Sequence, residues 1–463
     1  YRKVFTLMKK RLTISETAAV GSMLFGLFFG AGNLIFPVFM GQAAGANVWR
    51  AVIGFLITGV GIPLLGVASL GMSRSDGLFQ MSSKVGRGYG YFFTILLYLT
   101  IGPFFAIPRC ASTSFSVGIK PMIDDGTAKW LVWIFSLLFF AAVLWFSLRP
   151  GKILTWVGKI LTPLFLAALG LLIVAALISP IGSAGDVAPE ASYESGAVFQ
   201  GFLDGYNTMD ALAGLAFGIV VITAIRGLGV EDPAAIAGNT ITSGFFGCVI
   251  MAVIYAALAL IGAQSRTAYP LSADGGEALY VIATHYFGKV GGIILAVIVT
   301  LACLKTAVGL ITSCGEMFRE LFPRGPKYPV WAVGFCVVSF LISTIGLSAI
   351  IGWSLPVLMF LYPLAMTIIM LALSGRLFGH DRRVYACTTA FTLIAAIPDL
   401  TGSLPHGLSD APVIRTVNKI GDMLPLADIG LGWVCPALVG FAAGLVWHLI
   451  SKARSKHNSI EMQ

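Results

Sequence analysis

Twelve long apolar runs, each separated from the next by a short polar stretch, dominate this chain of 463 residues. They fall near 13–40, 47–72, 88–117, 128–148, 151–180, 198–226, 234–263, 289–318, 328–345, 348–374, 384–400 and 428–451. A helix needs about 20 apolar residues to cross a bilayer, so runs of this length predict an all-α integral membrane protein with about twelve spans. Only 11% of residues are charged, where a soluble domain carries about 25%. A soluble fold is thereby excluded. The connecting stretches are also too short for a separate catalytic domain, which takes on the order of 100 residues in one block.

The net charge of +9 is distributed as topology rather than as a nucleic-acid surface. With a cytoplasmic N-terminus, 21 of the 30 Lys and Arg residues lie on the cytoplasmic side of this span order, seven lie outside, and Arg109 and Lys305 lie within spans. That bias is the one that orients membrane proteins. It predicts cytoplasmic termini, with tails at 1–12 and 452–463. The basic stretch at 1–11 leads into a run too long for a cleaved signal, so the first span is expected to be retained. The acidic outer loops, with Asp186, Glu190 and Glu194 in one and Asp274 and Glu277 in another, read as solvated.

Little in the chain suggests enzymatic chemistry. The seven cysteines sit in or beside apolar segments without ligand spacing, and no two of His285, His380, His406, His448 and His457 have metal-ligand spacing. No Ser/His/Asp set falls at one depth. The glycine-rich GVGIPLLG of the second run lacks the strand, helix and acidic residue of a nucleotide loop and reads as a helix contact. An intramembrane enzyme would need clustered titratable groups, and a channel would repeat polar residues through its depth. Both readings therefore rank below a transporter.

Two spans are hard to keep as uninterrupted helices. The first holds Gly26, Gly30, Gly32, Asn33 and Pro37 within GLFFGAGNLIFP, and Gly and Pro weaken the hydrogen-bond ladder. The sixth holds Asp204, Asn207, Thr208 and Asp210, followed by Gly214, Phe217 and Gly218. Close helix packing explains small residues equally well in isolation. Spans one and six, however, each open a group of five, and interrupted spans at corresponding places in two halves point to an inverted-repeat transporter with its site at the breaks. Amides freed around Ala31 and Gly32 suit a carboxylate, and carbonyls freed near Ala216 and Phe217 suit an ammonium group. Phe104, Phe105, Phe217 and Ile219 suit an aliphatic side chain. A small neutral amino acid is the expected substrate.

FGAGNLIFP, GPFFAIPRCASTSFSVG, LRPGKILTWVGKILTPL, GYNTMDALAGLAFGIVV and CLKTAVGLITSCGEMF closely resemble the bacterial branched-chain amino acid transport system II carrier family, which are branched-chain amino acid:cation symporters, over about residues 10–450. The resemblance implies sodium-driven import of leucine, isoleucine and valine across the bacterial inner membrane. It implies the LeuT-like five-plus-five inverted-repeat fold of the APC superfamily, with helices 1 and 6 broken and two C-terminal helices added. The repeats would cover 13–180 and 198–374, joined by an outer loop at 181–197, with the added helices at 375–451. Position by position, Gly30, Ala31, Gly32 and Asn33 would hold the substrate carboxylate. Phe104, Phe105, Ala216, Phe217, Gly218 and Ile219 would line the rest. Carbonyls of Gly26 and Phe29, with Thr306 of span eight, would face sodium. No organic cofactor, nucleic acid or obligatory protein partner is implied; the partners are the substrate and the lipid bilayer.

Two features depart from this scheme or add to it. Lys305 stands at the midpoint of span eight, beside Thr306 and outward of Thr312 and Ser313, where the family usually has an uncharged residue. A buried ammonium is costly without a partner. Lys305 either reaches the span-one carbonyls and replaces sodium, giving proton coupling or uncoupled exchange, or turns toward a cytoplasmic water path and leaves the ion site intact. The second feature is depth. At about 1.5 Å rise per residue, Arg109 and Asp210 fall at one level above the breaks, which predicts an ion pair closing the site from outside; the alternative is that each lines a water-filled vestibule.

Overall fold

A chain immersed in lipid must satisfy its backbone hydrogen bonds internally, and in the computed structural model every expected apolar run is helical over most of its length. The structure describes residues 10–73, 75, 77–405 and 411–461, and of Ala31, Pro150, Leu154, Pro233 and residues 454–461 only the backbone. His406 and residues 1–9 of the expected N-terminal tail lie outside the described residues, as does the side chain of His457.

The first half comprises α1 (Ile14–Phe28), α2 (Ala31–Ala44), α3 (Val48–Leu56), α4 (Ile62–Met72), α5 (Leu78–Ser82), α6 (Arg87–Leu99), α7 (Ala106–Gly118), α8 (Asp125–Ser147) and α9 (Thr162–Ile178). After two short helices, α10 (Ala191–Glu194) and α11 (Ala197–Asp204), come α12 (Asp210–Gly227), α13 (Pro233–Ser265), α14 (Gly275–Phe287), α15 (Lys289–Leu321), α16 (Tyr328–Ser343) and α17 (Leu347–Ser374). The chain closes with α18 (Arg382–Gly402), α19 (Pro412–Asp422) and α20 (Val434–Glu461). Among the described residues ten helical stretches are long and apolar enough to cross a membrane, and α1 and α16 are shorter apolar helices. Wide π-helical turns at Ile57–Gly61, Thr100–Phe104 and Leu154–Leu161 join α3 to α4, α6 to α7, and the loop before α9 to that helix. The second of these contains Pro103 and a non-helical Gly102, so span three bends beside the centre.

Carboxylates start several of these helices. Thr13 and Glu16 form a reciprocal cap on α1, while Asp124, Asp232, Asp274 and Asp381 cap α8, α13, α14 and α18, each meeting amides that the helix cannot satisfy itself. Asp274, expected to be merely solvated, is exposed and also caps α14. The Thr127 amide and hydroxyl hold the Asp124 carboxyl below the usual carboxylate range.

Glycines let the central helices approach. A Cβ on Gly214 of α12 would stand 2.6 Å from the Pro63 carbonyl of α4, and one on Gly21 of α1 would stand 2.8 Å from the Ser243 carbonyl of α13. α1, α2, α12 and α15 meet in the middle, where Phe25, Phe29, Phe217 and Lys305 are among the largest fully buried side chains. The periphery is apolar and outward-facing, with Leu138 64% and Val253 65% exposed, as a lipid-facing surface requires and a soluble one does not tolerate.

Candidate functional site

The first break lies between α1 and α2. Phe29 (φ −73°, ψ 89°) and Gly30 (φ −110°, ψ −156°) leave the helical region, and helix resumes at Ala31. Asn33 makes the interruption stable. Its Oδ1 accepts the Gly30 amide at 2.8 Å, which an unbroken helix would give to the Gly26 carbonyl. The Gly26 carbonyl is therefore available to α15. Lys305 Nζ donates to it at 3.1 Å and also donates to the Phe29 carbonyl, while Thr306 Oγ1 approaches the Gly26 oxygen at 3.4 Å. The ammonium is fully buried and stands over three aromatic faces, 4.5 Å from the Phe165 centroid, 5.4 Å from Phe25 and 5.5 Å from Phe29. Such faces attract a cation. Gly30 lies close to α15: a Cβ there would press on the Thr306 side chain at 3.1 Å.

Residues Gly26, Phe29, Lys305 and Thr306 thus come together, with the ammonium against the carbonyls that the sequence resemblance implies for sodium. Thr312 and Ser313 do not join them: Thr312 bonds back to its own helix at Val308, and Ser313 donates to the Ala216 carbonyl at 2.6 Å. No group of three or more His, Cys, Asp or Glu able to hold a metal occurs among the described residues.

The second break differs from the sequence reading. The chain stops being α-helical at Asp204, makes one tight turn over Gly205–Thr208, and passes through Met209 in the left-handed region (φ 64°, ψ 12°) before α12 begins at Asp210. Ala216, Phe217, Gly218 and Ile219 therefore belong to a continuous helix. The Ala216 carbonyl already receives the hydroxyls of Tyr98 at 2.8 Å and Ser313, so it does not serve as a free acceptor for an ammonium group. Gly214 and Gly218 serve close packing, the former on Pro63 and the latter on Leu70.

Between the two breaks lies a cavity enclosing about 370 Å³ of space free of atoms, its mouth included. Gly30, Gly32 and Asn33 line it from the first break, and Thr208, Met209 and Asp210 line it from the second. Its apolar wall includes Leu27, Phe28, Ile101, Ala213, Phe217 and Leu310. Of the expected lining, Gly30, Gly32, Asn33 and Phe217 are present, and the side chain of Ala31 is outside the described residues. Phe104 is not part of the wall: the bend at Gly102 turns it outward to 43% exposure. Phe105 packs half-buried against the core instead. Ala216, Gly218 and Ile219 are also absent from the wall, because the lining face of α12 presents Asp210, Ala213 and Phe217.

Arg109 and Asp210 both line this cavity, but they make no ion pair within 4 Å. Each has another partner. Arg109 Nη1 donates to the Asn207 carbonyl at 2.9 Å, and the guanidinium lies 5.6 Å from the Phe36 centroid. Asp210 Oδ2 accepts from the Tyr255 hydroxyl at 2.9 Å and from the Asn33 amide. The expected outer-gate pair is corrected accordingly: the two groups line one cavity but are bonded to separate partners. Tyr255 went unnoticed in the sequence, where a lone Tyr in an apolar run carries no signal.

A model of a family described as branched-chain amino acid transport protein matches residues 13–451. The branched-chain amino acid permease BrnQ of Lactobacillus delbrueckii subsp. lactis is 52% identical over 449 residues, spanning 97% of this chain and 100% of that protein. The BrnQ permease of Bacillus subtilis is 41% identical, covering 97% and 100%. The branched-chain amino acid transport system 2 carrier protein of Pseudomonas aeruginosa is 40% identical, covering 95% and 98%. Among solved structures, the nucleobase-cation-symport-1 family transporter Mhp1, in a closed conformation with bromovinylhydantoin bound, aligns with a TM-score of 0.56 at 14% identity, over 94% of this chain and 93% of that one. MhsT in complex with L-phenylalanine aligns at 0.55 and 16%, over 94% and 99%. These two likenesses establish the fold, a LeuT-like transporter fold. Matched along nearly its whole length by a model of transport proteins rather than of enzymes, and by relatives well above 30% identity, the chain belongs to the branched-chain amino acid transport protein family.

Proposed function

We propose that this protein imports branched-chain amino acids, with the cavity between the two breaks as the substrate site and Lys305 in the position of a coupling cation. The observation that carries the substrate reading is the pairing of a free helix N-terminus at Ala31–Asn33 with an aliphatic and aromatic wall. The helix end attracts a carboxylate, and the wall accepts a hydrocarbon side chain. The relatives, named as branched-chain amino acid permeases and carriers, support the same class of substrate. Discrimination among leucine, isoleucine and valine by shape is worth only about 1–3 kcal/mol, so all three are taken as substrates.

For coupling, the contacts from Lys305 Nζ to the Gly26 and Phe29 carbonyls favour a built-in cation over bound sodium. Proton-coupled transport or exchange of amino acids then replaces sodium symport. A lysine turned toward a cytoplasmic water path is disfavoured by the same contacts. The inverted repeat at 13–180 and 198–374, cytoplasmic termini and inner-membrane location belong to the same reading. Uptake of labelled leucine into proteoliposomes under a sodium gradient, a proton gradient and neither is the test. Saturable uptake without a sodium requirement is expected; uptake that needs sodium would overturn the coupling assignment, and no uptake under any condition would overturn the transport assignment.

A further inference from the structure

Arg109 is only 4% exposed and lies against the N-terminus of α2: a Cβ on Gly32 would be 3.0 Å from its Nη2. A helix N-terminus carries a partial positive charge and unsatisfied amides, so a guanidinium there brings two positive ends together. Among the described residues no ion pair within 4 Å offsets them. Nη1 is used by the Asn207 carbonyl and the ring of Phe36 lies alongside, but Nη2 has no hydrogen-bond partner and no carboxylate comes within 4 Å. Across the same cavity Asp210 is 1% exposed; its Oδ2 receives both Asn33 and Tyr255, while Oδ1 accepts no formed hydrogen bond among the described residues, the Thr208 hydroxyl beside the carboxylate donating to the Gly205 carbonyl. Two buried opposite charges, each with one atom to spare, face one small cavity without pairing. Buried charges are retained when something pairs with them.

We propose that Arg109 and Asp210 together recognise the zwitterionic end of the substrate: Arg109 Nη2, with the α2 amides, takes the α-carboxylate, and Asp210 Oδ1 takes the α-ammonium. The inference rests on the substrate site assigned above and names the groups that fix its orientation there. Asn33 and Tyr255 act as positioning residues, because their bonds to Oδ2 leave Oδ1 toward the cavity. With the polar end held so, the side chain is directed to Phe28, Phe217 and Leu310. Both charges of the ligand become obligatory. A branched-chain 2-oxo acid offers only the carboxylate, and the amide of a branched-chain amino acid offers only the ammonium.

The test uses the full-length protein in nanodiscs and the ligand-dependent rise of its melting temperature, titrated separately with leucine, 4-methyl-2-oxopentanoate and leucinamide. Losing one charge-assisted contact is worth roughly tenfold or more in affinity. The unmodified protein should bind both analogues more weakly than leucine by about that factor. In Asp210→Asn leucine should weaken toward the oxo acid, whose affinity stays unchanged, so the preference between them collapses. In Arg109→Gln leucine and the oxo acid should weaken together while leucinamide is unaffected. If a neutral variant does not melt cooperatively, Asp210→Glu and Arg109→Lys are read the same way, each weakening only the ligands that carry the matching group. Unchanged leucine affinity in either variant, or equal weakening of all three ligands, would overturn the proposal. If leucine, isoleucine and valine leave the unmodified protein unaffected while another α-amino acid stabilises it, the substrate class falls and the two-charge site is tested with that amino acid. If no α-amino acid stabilises it, both fall.

Discussion

Replacing Lys305 by Thr removes the only ammonium hydrogen-bonded to the carbonyls of Gly26 and Phe29 among the described residues. Leaving a buried acceptor unmade costs about 1–3 kcal/mol, so two of them cost about 2–6 kcal/mol. Further loss comes from the space vacated among Phe25, Phe29 and Phe165, against which the side chain lies. The introduced threonine would add a hydroxyl beside that of Thr306, so carbonyls and hydroxyls would then surround a space suited to a hard cation, which prefers oxygen ligands. Sodium at about a hundred times its dissociation constant would return about 2.7 kcal/mol. The assay is thermal unfolding of detergent-purified protein in sodium chloride and in choline chloride at equal ionic strength. The unmodified protein should melt at the same temperature in both salts. Lys305→Thr should melt lower in choline and recover part of the loss in sodium. Stabilisation of the unmodified protein by sodium over choline, equal to that of the variant, would refute the argument.

Five other substitutions probe the site and its frame. Gly32→Leu should abolish leucine binding without unfolding the protein, since its Cβ alone would press on Arg109 Nη2 and on Phe36 at 3.1 Å; equilibrium binding beside a melting curve checks this. Ala213→Phe, which puts a ring into the cavity wall, should block leucine binding, whereas Phe104→Ala, on the outward face, should leave the affinity within about threefold, roughly 0.7 kcal/mol. Gly214→Ala, forced against Pro63, should cost about 1–3 kcal/mol, and Gly238→Ala, with nothing within 4 Å of the added methyl, should stabilise α13 by about 0.5–1 kcal/mol; melting temperatures of the pair read both signs.

The residues that were legible in the sequence are those whose chemistry contradicts a plain membrane helix. Gly30 and Asn33 in an apolar run pointed to an interruption, and the structure has one at Phe29 and Gly30. Lys305 at the midpoint of its span pointed to a buried cation, and its depth sufficed to bring it level with the Gly26 and Phe29 carbonyls. The second break was misplaced because glycines in a membrane helix have two uses. Gly214 and Gly218 allow close packing on Pro63 and Leu70, while the helix is interrupted at Met209, a residue type that gives no warning of a left-handed conformation. Phe104 was misassigned for a related reason: sequence spacing gives depth, and the non-helical Gly102 changes which way the following ring faces. The same limit applies to Arg109 and Asp210, which line one cavity yet are committed to Asn207 on one side and to Asn33 and Tyr255 on the other. The helix α14 escaped notice because its 13 residues are too few for a span, and α19 because it is both short and polar.

Counterflow tests the central claim most directly, because it needs no assumption about the coupling ion. Proteoliposomes containing the purified protein are loaded with unlabelled leucine and diluted into a trace of labelled leucine, with sodium replaced by choline on both sides. The account predicts transient accumulation of label well above that in empty liposomes, suppressed by excess isoleucine or valine and unaffected by lysine or glutamate. Label no higher than in empty liposomes, in protein that still melts cooperatively, would contradict it.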